Sequence, residues 1–360
     1  YLSSAASDVY KRQNMRRSLF VIVITAIALI GAACGIGETT PDEVVLVTHG
    51  SFAVSEGVLE AFTEETGVPV KLLQSADAGT MVNQAILTKD NPIADVMYGI
   101  DNTFLSRAIA EELFVPYEAS DLDSVPDALQ EPEHRVTPID FGDVCVNLDP
   151  IGLDDRGLEL PERLADLADP AYRAVLVVED PSTSSPGLAF LLATISVFGE
   201  DGDYPWQAYW RDLVANDVQI VPGWEQAYYG EFSGGSGEGE RPVVVSYATS
   251  PVAEVYFSDL DVAPSTIIDD GCFRQIEYAG ILQGTEAEST AQQLVDFLLA
   301  RTFQEDIPLN MFVYPANEAA ALPDVFVEYA TIPADPIIVD PSSIEENRDR
   351  WLAEWAPIVR

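Results

Sequence analysis

Short apolar runs alternate with stretches of helical periodicity over the first part of the folded chain. The runs at 44–47, 68–73 and 94–99 have the character of buried strands, and 58–65 and 81–88 have that of helices. Strands that alternate with helices at this spacing are typical of a lobe with parallel strands, so we predict an α/β fold. The predicted strand ends, where such sheets bind ligands, lie near 49–52, 77–80 and 101–102.

The middle of the chain repeats the scheme. Apolar runs at 174–178 and 243–247 predict further strands, and 188–198 predicts a buried helix. A chain of 360 residues is long enough for two lobes. A C-terminal helix is predicted over 343–358, with Trp351 and Trp355 on one face as packing residues.

The N-terminal segment has the layout of a secretory signal. A basic start at 15–17 precedes an apolar run at 19–30 and small residues that end at Cys34. We predict a lipoprotein signal peptide over 15–34, acylation of Cys34 and a polar tether over 35–42. The alternative is a permanent transmembrane anchor, for which the apolar run is short. Residues 1–14 are interpreted as an upstream extension.

The charge of the chain is strongly acidic. It has 60 acidic and 18 basic side chains, a formal net charge of −42. Nucleic acid is excluded as a partner because phosphate binding requires the opposite sign. The acidity is interpreted as a solubilising surface that also attracts a cationic ligand.

Two cysteines remain beyond Cys34. In an oxidising exterior Cys145 and Cys272 could form a disulfide, and spacing alone leaves open the alternative of two buried thiols.

The sequence contains no recognisable catalytic motif. Its two histidines, His49 and His134, are not in a metal-binding spacing, and no nucleophile elbow or phosphate-binding glycine loop is present. We therefore expect a protein that is not an enzyme and has no cofactor or metal. An exported hydrolase that uses scattered carboxylates is the alternative.

Two features indicate binding instead. The segment 182–187 precedes a predicted helix, where free N–H groups favour anionic or oxygen-rich groups, although serines there are also ordinary N-caps. Aromatic side chains, which stack on heterocycles or cations, also cluster near the predicted strand ends. They are Trp224, Tyr228, Tyr229, Tyr247, Phe312 and Tyr314.

Five segments in order resemble the thiamine-binding proteins of ABC importers. They are YGIDN (98–102), DPSTSSPGL (180–188), GWEQAY (223–228), SYATSP (246–251) and YPAN (314–317). The resemblance implies a two-lobed periplasmic-binding-protein fold of type II, in which each lobe is a mixed sheet flanked by helices. It places lobe 1 at 43–140 plus 275–317 and lobe 2 at 141–274 plus 318–360.

The resemblance also implies a ligand set. Ser184 and Ser185 would contact the hydroxyethyl or phosphate end of thiamine. The implied ligand-binding residues are Asp77, Gly79, Asp101, Ser184, Ser185, Trp224, Tyr247, Ala248, Thr249, Ser250, Phe312 and His49. His49 and Phe312 depart from the family pattern, which has Tyr and Trp there.

The implied function is capture of thiamine or its phosphates by a lipid-anchored monomer at the outer face of the cytoplasmic membrane, for an ABC permease. Within the same fold, the adjacent Tyr228 and Tyr229 leave a ferric-ion binder open, since phenolates suit a hard cation. A polyamine or another small solute is also open.

Overall fold

The computed structural model describes residues 41–235, 239–258 and 262–360. The predicted signal peptide, Cys34 and residues 1–14 lie outside the described residues, as does all but the end of the predicted tether. Within the described part of the chain, no helix combines the length and the apolar character that a membrane span requires.

The described strands form one mixed sheet. They are β1 (Val44–Thr48), β2 (Val70–Gln74), β3 (Val96–Asp101), β4 (Phe114–Val115), β5 (Thr137–Leu148), β6 (Leu176–Glu179), β7 (Gln219–Val221), β8 (Val243–Tyr247), β9 (Thr266–Leu282) and β10 (Tyr314–Pro315). The strand order is β2-β1-β3-β9-β5-β8-β6-β7, and β4 pairs with β9 and β10 with β5.

Helices flank the sheet. They are α1 (Val58–Thr66), α2 (Ala78–Leu87), α3 (Leu105–Ala110), α4 (Pro150–Asp154), α5 (Ser185–Phe198), α6 (Trp206–Ala215), α7 (Ser250–Ser258), α8 (Glu288–Leu299), α9 (Arg301–Gln304), α10 (Ile307–Asn310), α11 (Asp324–Tyr329) and α12 (Pro341–Val359). Short 3-10 turns occupy Leu122–Ser124, Asp127–Leu129, Leu164–Ala168 and Pro170–Tyr172, and a π-helical segment occupies Gln226–Glu231.

The predicted α/β alternation is confirmed at both ends of the sheet. Strand β1 pairs in parallel with β2 and β3 on one side, and β6 pairs in parallel with β7 and β8 on the other. Helix α1 ends at Gly67, whose φ of 77° is in the left-handed region that glycine adopts without strain. Helix α5 is apolar and almost entirely buried, as its sequence predicts.

Two long antiparallel strands, β5 and β9, join the two halves of the sheet. The first part of β5 and the last part of β9 lie near β3, whereas residues Val144–Leu148 of β5 pair with β8. The ladder between the long strands is interrupted near Val144–Val146. At this place Arg274 makes a bidentate salt bridge with the nearly buried Asp143, at 2.6 and 3.0 Å. The two lobes are therefore connected by paired strands and not by a loose linker.

The two remaining cysteines lie on these long strands. Cys145 of β5 and Cys272 of β9 are buried, their Cα atoms are 4.4 Å apart, and the structure places a disulfide between them. The bond therefore links the connecting strands.

Helix α12 packs against α6 and α3. Trp351 and Trp355 are each 4% exposed, and Trp355 packs edge-on against Trp210 of α6. From the same helix, the Arg348 guanidinium lies over the Phe104 ring. This confirms the prediction that the two tryptophans are packing residues.

Candidate ligand-binding site

A cavity of about 480 Å³ lies in the cleft between the lobes. This volume is in the range of small-molecule sites. Its lining residues are His49, Gly50, Ser51, Phe52, Ala53, Asp77, Ala78, Ser185, Pro186, Trp224, Glu225, Tyr228, Tyr229, Gly235, Tyr247, Ser250, Ala253, Glu254, Phe257, Ser258, Pro264, Glu277, Asn310, Met311, Phe312 and Val313. Residues of two predicted strand-end segments, 49–52 and 77–80, thus meet Ser250, which follows β8, at one site.

Trp224 is fixed in the cavity wall at two points. Its indole Nε1 donates to Ser246 Oγ at 2.8 Å, and its backbone N–H donates to Asp77 Oδ2 at 3.1 Å. The indole stacks on Tyr228, with ring centroids 5.2 Å apart and planes 12° apart, and meets the ring of Tyr247 edge-on. The half-buried indole is therefore a rigid surface for a flat ligand.

Asp77 links the two lobes. It is the N-cap of α2, where Oδ1 accepts from the Ala78 N–H at 2.8 Å while Oδ2 accepts from Trp224 of lobe 2. Burial raises the pKa of this carboxyl, against smaller lowering contributions from the N–H groups of Trp224 and Ala78 that donate to it. Asp77 thus borders the cavity and also joins its walls.

Gly79 does not line the cavity, although it was expected to contact the ligand. It lies where α2 meets lobe 2, and a Cβ at this position would be 2.7 Å from the Thr183 carbonyl oxygen. Its role in the structure is to allow close approach of the lobes.

His49 is paired with a carboxylate. Its Nε2 lies 3.4 Å from Glu277 Oε2, and its ring stacks against that of Tyr98. Burial lowers the pKa of His49, but Glu277, with smaller contributions from Asp77 and Asp101, outweighs burial and raises it overall. The positive charge of a protonated His49 is therefore balanced by Glu277 within the site.

Asp101 lies behind the cavity wall and not on its surface. This fully buried carboxylate accepts from Thr103 Oγ1 at 2.8 Å and from Gln275 Nε2 at 2.9 Å. Gln275 Oε1 in turn accepts from the Tyr247 hydroxyl at 2.7 Å. Asp101 therefore orients the Tyr247 ring, which lines the cavity, through Gln275. Burial raises the pKa of Asp101 to about 7.

The first turn of α5 brings the predicted serines to the cleft. Ser185 lines the cavity, whereas Ser184 is the N-cap residue and is buried beneath it. Both hydroxyl oxygens are buried, and neither has a hydrogen-bond partner among the described residues.

The segment after β8 and the segment before β10 meet at one edge of the cavity. Ser250 and Phe312 line it, whereas Ala248 and Thr249 are buried behind it. Phe312 has a φ of 55°, an uncommon conformation for a residue with a side chain, and its carbonyl accepts from the Thr249 hydroxyl. Thr249 therefore supports the aromatic edge instead of lining it.

The adjacent tyrosines differ in environment. Tyr228 is buried and donates its hydroxyl to Glu254 Oε1 at 2.6 Å, whereas Tyr229 is 46% exposed. Burial, reinforced by Glu254, raises the pKa of Tyr228 far above its usual range. Tyr314, also considered for this cluster, stacks on Phe141 and does not line the cavity.

The sequence did not single out several residues of the wall. Glu277, Glu254 and Phe257 all line the cavity. The two glutamates could not be identified from the sequence, because the chain has 60 acidic side chains and nothing distinguishes these two from the others. Phe257 lies in α7, the helix that begins within the SYATSP segment, and it is 72% exposed, so it does not belong to the hydrophobic core.

The charged side chains of the cavity wall are predominantly acidic. Among the described residues that line the cavity, four are acidic (Asp77, Glu225, Glu254 and Glu277), none is Lys or Arg, and His49 is the one histidine. Within the described ranges, no cluster of three or more His, Cys, Asp or Glu residues has the arrangement of a metal site. The cleft is therefore an acidic, aromatic pocket suited to a flat cation.

Two lobes joined by paired strands, with an aromatic pocket between them, define a two-lobed solute-binding protein. Residues 91–333 match the family of bacterial extracellular solute-binding proteins, and the chain belongs to that family.

Individual relatives agree with this assignment. A thiamine-binding periplasmic protein of Brucella abortus biovar 1 (strain 9-941) is 28% identical over 344 residues, 94% of this chain and 98% of the relative. A solved periplasmic thiamin binding protein superimposes with a TM-score of 0.79 at 26% identity, over 88% of this chain and 96% of its own. Iron-bound HitA from Pseudomonas aeruginosa superimposes with a TM-score of 0.70 over 88% and 99% of the two chains, and at 20% identity it shows the fold alone.

Proposed function

We propose that this protein captures thiamine by closing its two lobes around the vitamin. The observation that carries the proposal is the cleft wall itself, in which an indole fixed at two points stands among four acidic side chains. Thiamine combines a flat pyrimidine with a permanently cationic thiazolium ring. Aromatic faces and carboxylates recognise such a molecule by stacking, cation–π attraction and charge. The thiamine-binding relatives support the same choice of ligand.

Calorimetric titration of the full chain with thiamine tests the proposal. We expect saturable binding of one thiamine, and loss of about 2 kcal/mol, or about 30-fold in affinity, in Trp224→Ala, because a desolvated cation–π contact has that strength. Absence of heat with thiamine would refute the assignment, and undiminished binding by Trp224→Ala would refute the pocket.

Tryptophan fluorescence provides a matched control. Trp224 is the one tryptophan of the five that lines the cavity, and the other four are buried elsewhere. Quenching by thiamine should therefore disappear in Trp224→Phe and persist in Trp351→Phe.

A ferric ion is the second candidate, favoured by the adjacent tyrosines and the fold shared with an iron-binding protein. However, Tyr228 donates to Glu254, and its raised pKa disfavours the phenolate that iron requires. Ferric citrate should therefore produce no tyrosinate absorption band. A polyamine also suits the acidic wall, and spermidine in the same titration should bind more weakly than thiamine because it cannot stack.

Delivery to an ABC permease belongs to the same proposal, with the chain held as a monomer outside the cytoplasmic membrane by a lipid on Cys34. Membership of a solute-binding family supports transport, and the small residues before Cys34 support acylation. Radiolabelled palmitate should be incorporated by the parent and not by Cys34→Ala. In the proposed closure, lobe 1 (43–140 plus 275–317) and lobe 2 (141–274 plus 318–360) move as the two rigid bodies.

A further inference from the structure

Three hydrogen bonds onto the Asp101 carboxylate fix the direction of a relay behind the cavity wall. Asp101 accepts from the Thr103 hydroxyl at 2.8 Å, from the Phe104 backbone N–H at 3.3 Å and from Gln275 Nε2 at 2.9 Å. A backbone N–H can only donate, and an ionised carboxylate can only accept. The amide of Gln275 must therefore turn its NH2 group toward Asp101.

This orientation of the amide determines where the proton of the Tyr247 hydroxyl lies. With its NH2 group on Asp101, Gln275 has only its carbonyl oxygen left for Tyr247, and the hydroxyl donates to this oxygen at 2.7 Å. Gln275 is 1% exposed, so water has little access to either end of the amide. Since a phenol has one proton, Tyr247 can offer the cavity only the lone pairs of its oxygen.

The ring of Tyr247 is also held in a constant place in the wall, which it lines. Its backbone N–H donates to Ser250 Oγ at 3.3 Å, and its ring meets that of Trp224 edge-on. On another side it packs on Gly142, where a Cβ would be 3.1 Å from Tyr247 Cδ1. The phenolic oxygen is therefore a hydrogen-bond acceptor at a fixed position.

We propose that Asp101 and Gln275 are positioning residues that hold Tyr247 as a hydrogen-bond acceptor, and that this acceptor selects ligands with an amino group. The inference rests on the proposed function, since it concerns how the same cleft recognises the pyrimidine of thiamine. The amino group of that ring is a donor and pairs with the Tyr247 oxygen. An oxygen in its place would bring two acceptors together, and both would lose their hydrogen bonds to water without replacement.

The test compares thiamine with oxythiamine, in which an oxygen replaces the amino group, by calorimetry on the full chain at about pH 8. At this pH Asp101, whose pKa is raised to about 7, is ionised. We expect the parent to bind thiamine at least about tenfold more tightly, because a lost hydrogen bond that leaves an acceptor unpaired has about that effect. Pyrithiamine, which keeps the aminopyrimidine and a cationic ring, is the control ligand, and its affinity relative to thiamine should be the same in the parent and in the variants of Asp101 and Gln275.

Asp101→Asn should reverse the relay, an effect that a merely structural defect would not produce. The side-chain oxygen of the amide would keep the Thr103 and Phe104 donors, and its NH2 group would take the place of Oδ2 and face Gln275. The amide of Gln275 would then turn over and donate to Tyr247, whose proton would be free for the ligand. The ratio of the oxythiamine to the thiamine dissociation constant should therefore fall at least about tenfold.

Two further variants and a matched control complete the series. Gln275→Met removes the relay at similar size, and Tyr247→Phe removes the hydroxyl, so in both the ratio should fall toward one. Asp296→Asn is the control, because Asp296 also accepts from a tyrosine hydroxyl, that of Tyr117, but does not line the cavity, and its ratio should equal that of the parent.

The outcomes are distinguishable. If thiamine fails to bind to the parent, the proposed function is wrong and the inference falls with it. If the parent binds thiamine and oxythiamine equally, or if Asp101→Asn and Gln275→Met keep the ratio of the parent, the inference alone is overturned. Both constants are measured on the same preparation, so partial unfolding of a variant lowers the number of sites and leaves the ratio unchanged.

Discussion

Replacing Gly79 with alanine should prevent the lobes from closing fully. The added Cβ would lie 2.7 Å from the Thr183 carbonyl oxygen of lobe 2 and 2.6 Å from Cζ of the buried Phe104 in lobe 1. Ordinary contacts of a methyl carbon are about 3.5 Å or longer, so either the lobes separate or the neighbours shift. The Thr183 oxygen belongs to the backbone and cannot rotate away.

The magnitude follows from the cost of overpacking, which is about 1–3 kcal/mol. If this cost applies to the closed form, the dissociation constant for thiamine should rise by about 5- to 150-fold. Calorimetry measures the affinity, and small-angle scattering with and without thiamine reports whether the molecule becomes compact. Thermal unfolding of the ligand-free variant shows whether the lobe itself is damaged.

Alanine at two other glycines should weaken binding less than alanine at Gly79. At Gly223 a Cβ would meet Asp77 Oδ2 at 2.7 Å, but this atom ends a side chain that can rotate, so Gly223→Ala should weaken binding less. At Gly230 the nearest atom is 3.7 Å away, so Gly230→Ala should have no effect. Adding Phe104→Leu to Gly79→Ala relieves only the contact within lobe 1 and should not restore affinity. Unchanged binding by Gly79→Ala would refute the reasoning.

Three further predictions concern the region that joins the lobes. Replacing Cys145 and Cys272 together with alanine should lower the free energy of unfolding in urea by about 2–5 kcal/mol, because the bond closes a long loop, and reductant should have no further effect on that variant. Arg274→Ala should lower it by about 3–5 kcal/mol, since Asp143 would remain as an unpaired buried charge, and a loss below 1 kcal/mol would contradict this. The free energy of unfolding should also decline as the pH rises from about 4 to about 7, because the folded state raises the pKa of Asp101 from 3.8 to about 7 and so binds its proton more tightly than the unfolded state does. Urea titrations across this range should show a smaller decline in Asp101→Asn than in the parent.

Much of the fold follows from local patterns. The strand–helix units at the start of the chain are predicted by apolar runs because both faces of β1 and β3 are covered. The length of β9 could not be predicted. Its apolar pattern is interrupted by Asp269, Asp270 and Gly271, and the 17-residue strand is held in place by pairing with β5, a partner far away in sequence. Pairing across such a distance leaves no local periodicity.

The site was predictable where the side-chain type limits the role. An indole beside a predicted strand end has few uses, and Trp224 lines the cavity as expected. Glu277 could not be distinguished among many acids, because its role depends on the position of His49. Gly79 was predicted to contact the ligand. The role of a glycine depends on which atoms approach its backbone, and at Gly79 these include the carbonyl oxygen of Thr183.

The contacts that close the cleft differ in kind from those that join the lobes. The joining contacts are permanent ones, a strand ladder, a disulfide and a bidentate salt bridge, and of these only the ladder reaches the cavity wall, at Glu277. The contacts across the cleft include one carboxylate, Asp77, on the N–H of Trp224, the Thr249 hydroxyl on the Phe312 carbonyl and a glycine against a carbonyl. A single hydrogen bond contributes only about 1 kcal/mol, so closure by these contacts alone would be marginal. A cation that neutralises the acidic wall while it stacks on Trp224 adds the missing stabilisation to the closed form, and this is why charge, and not size alone, should decide which ligands close the cleft.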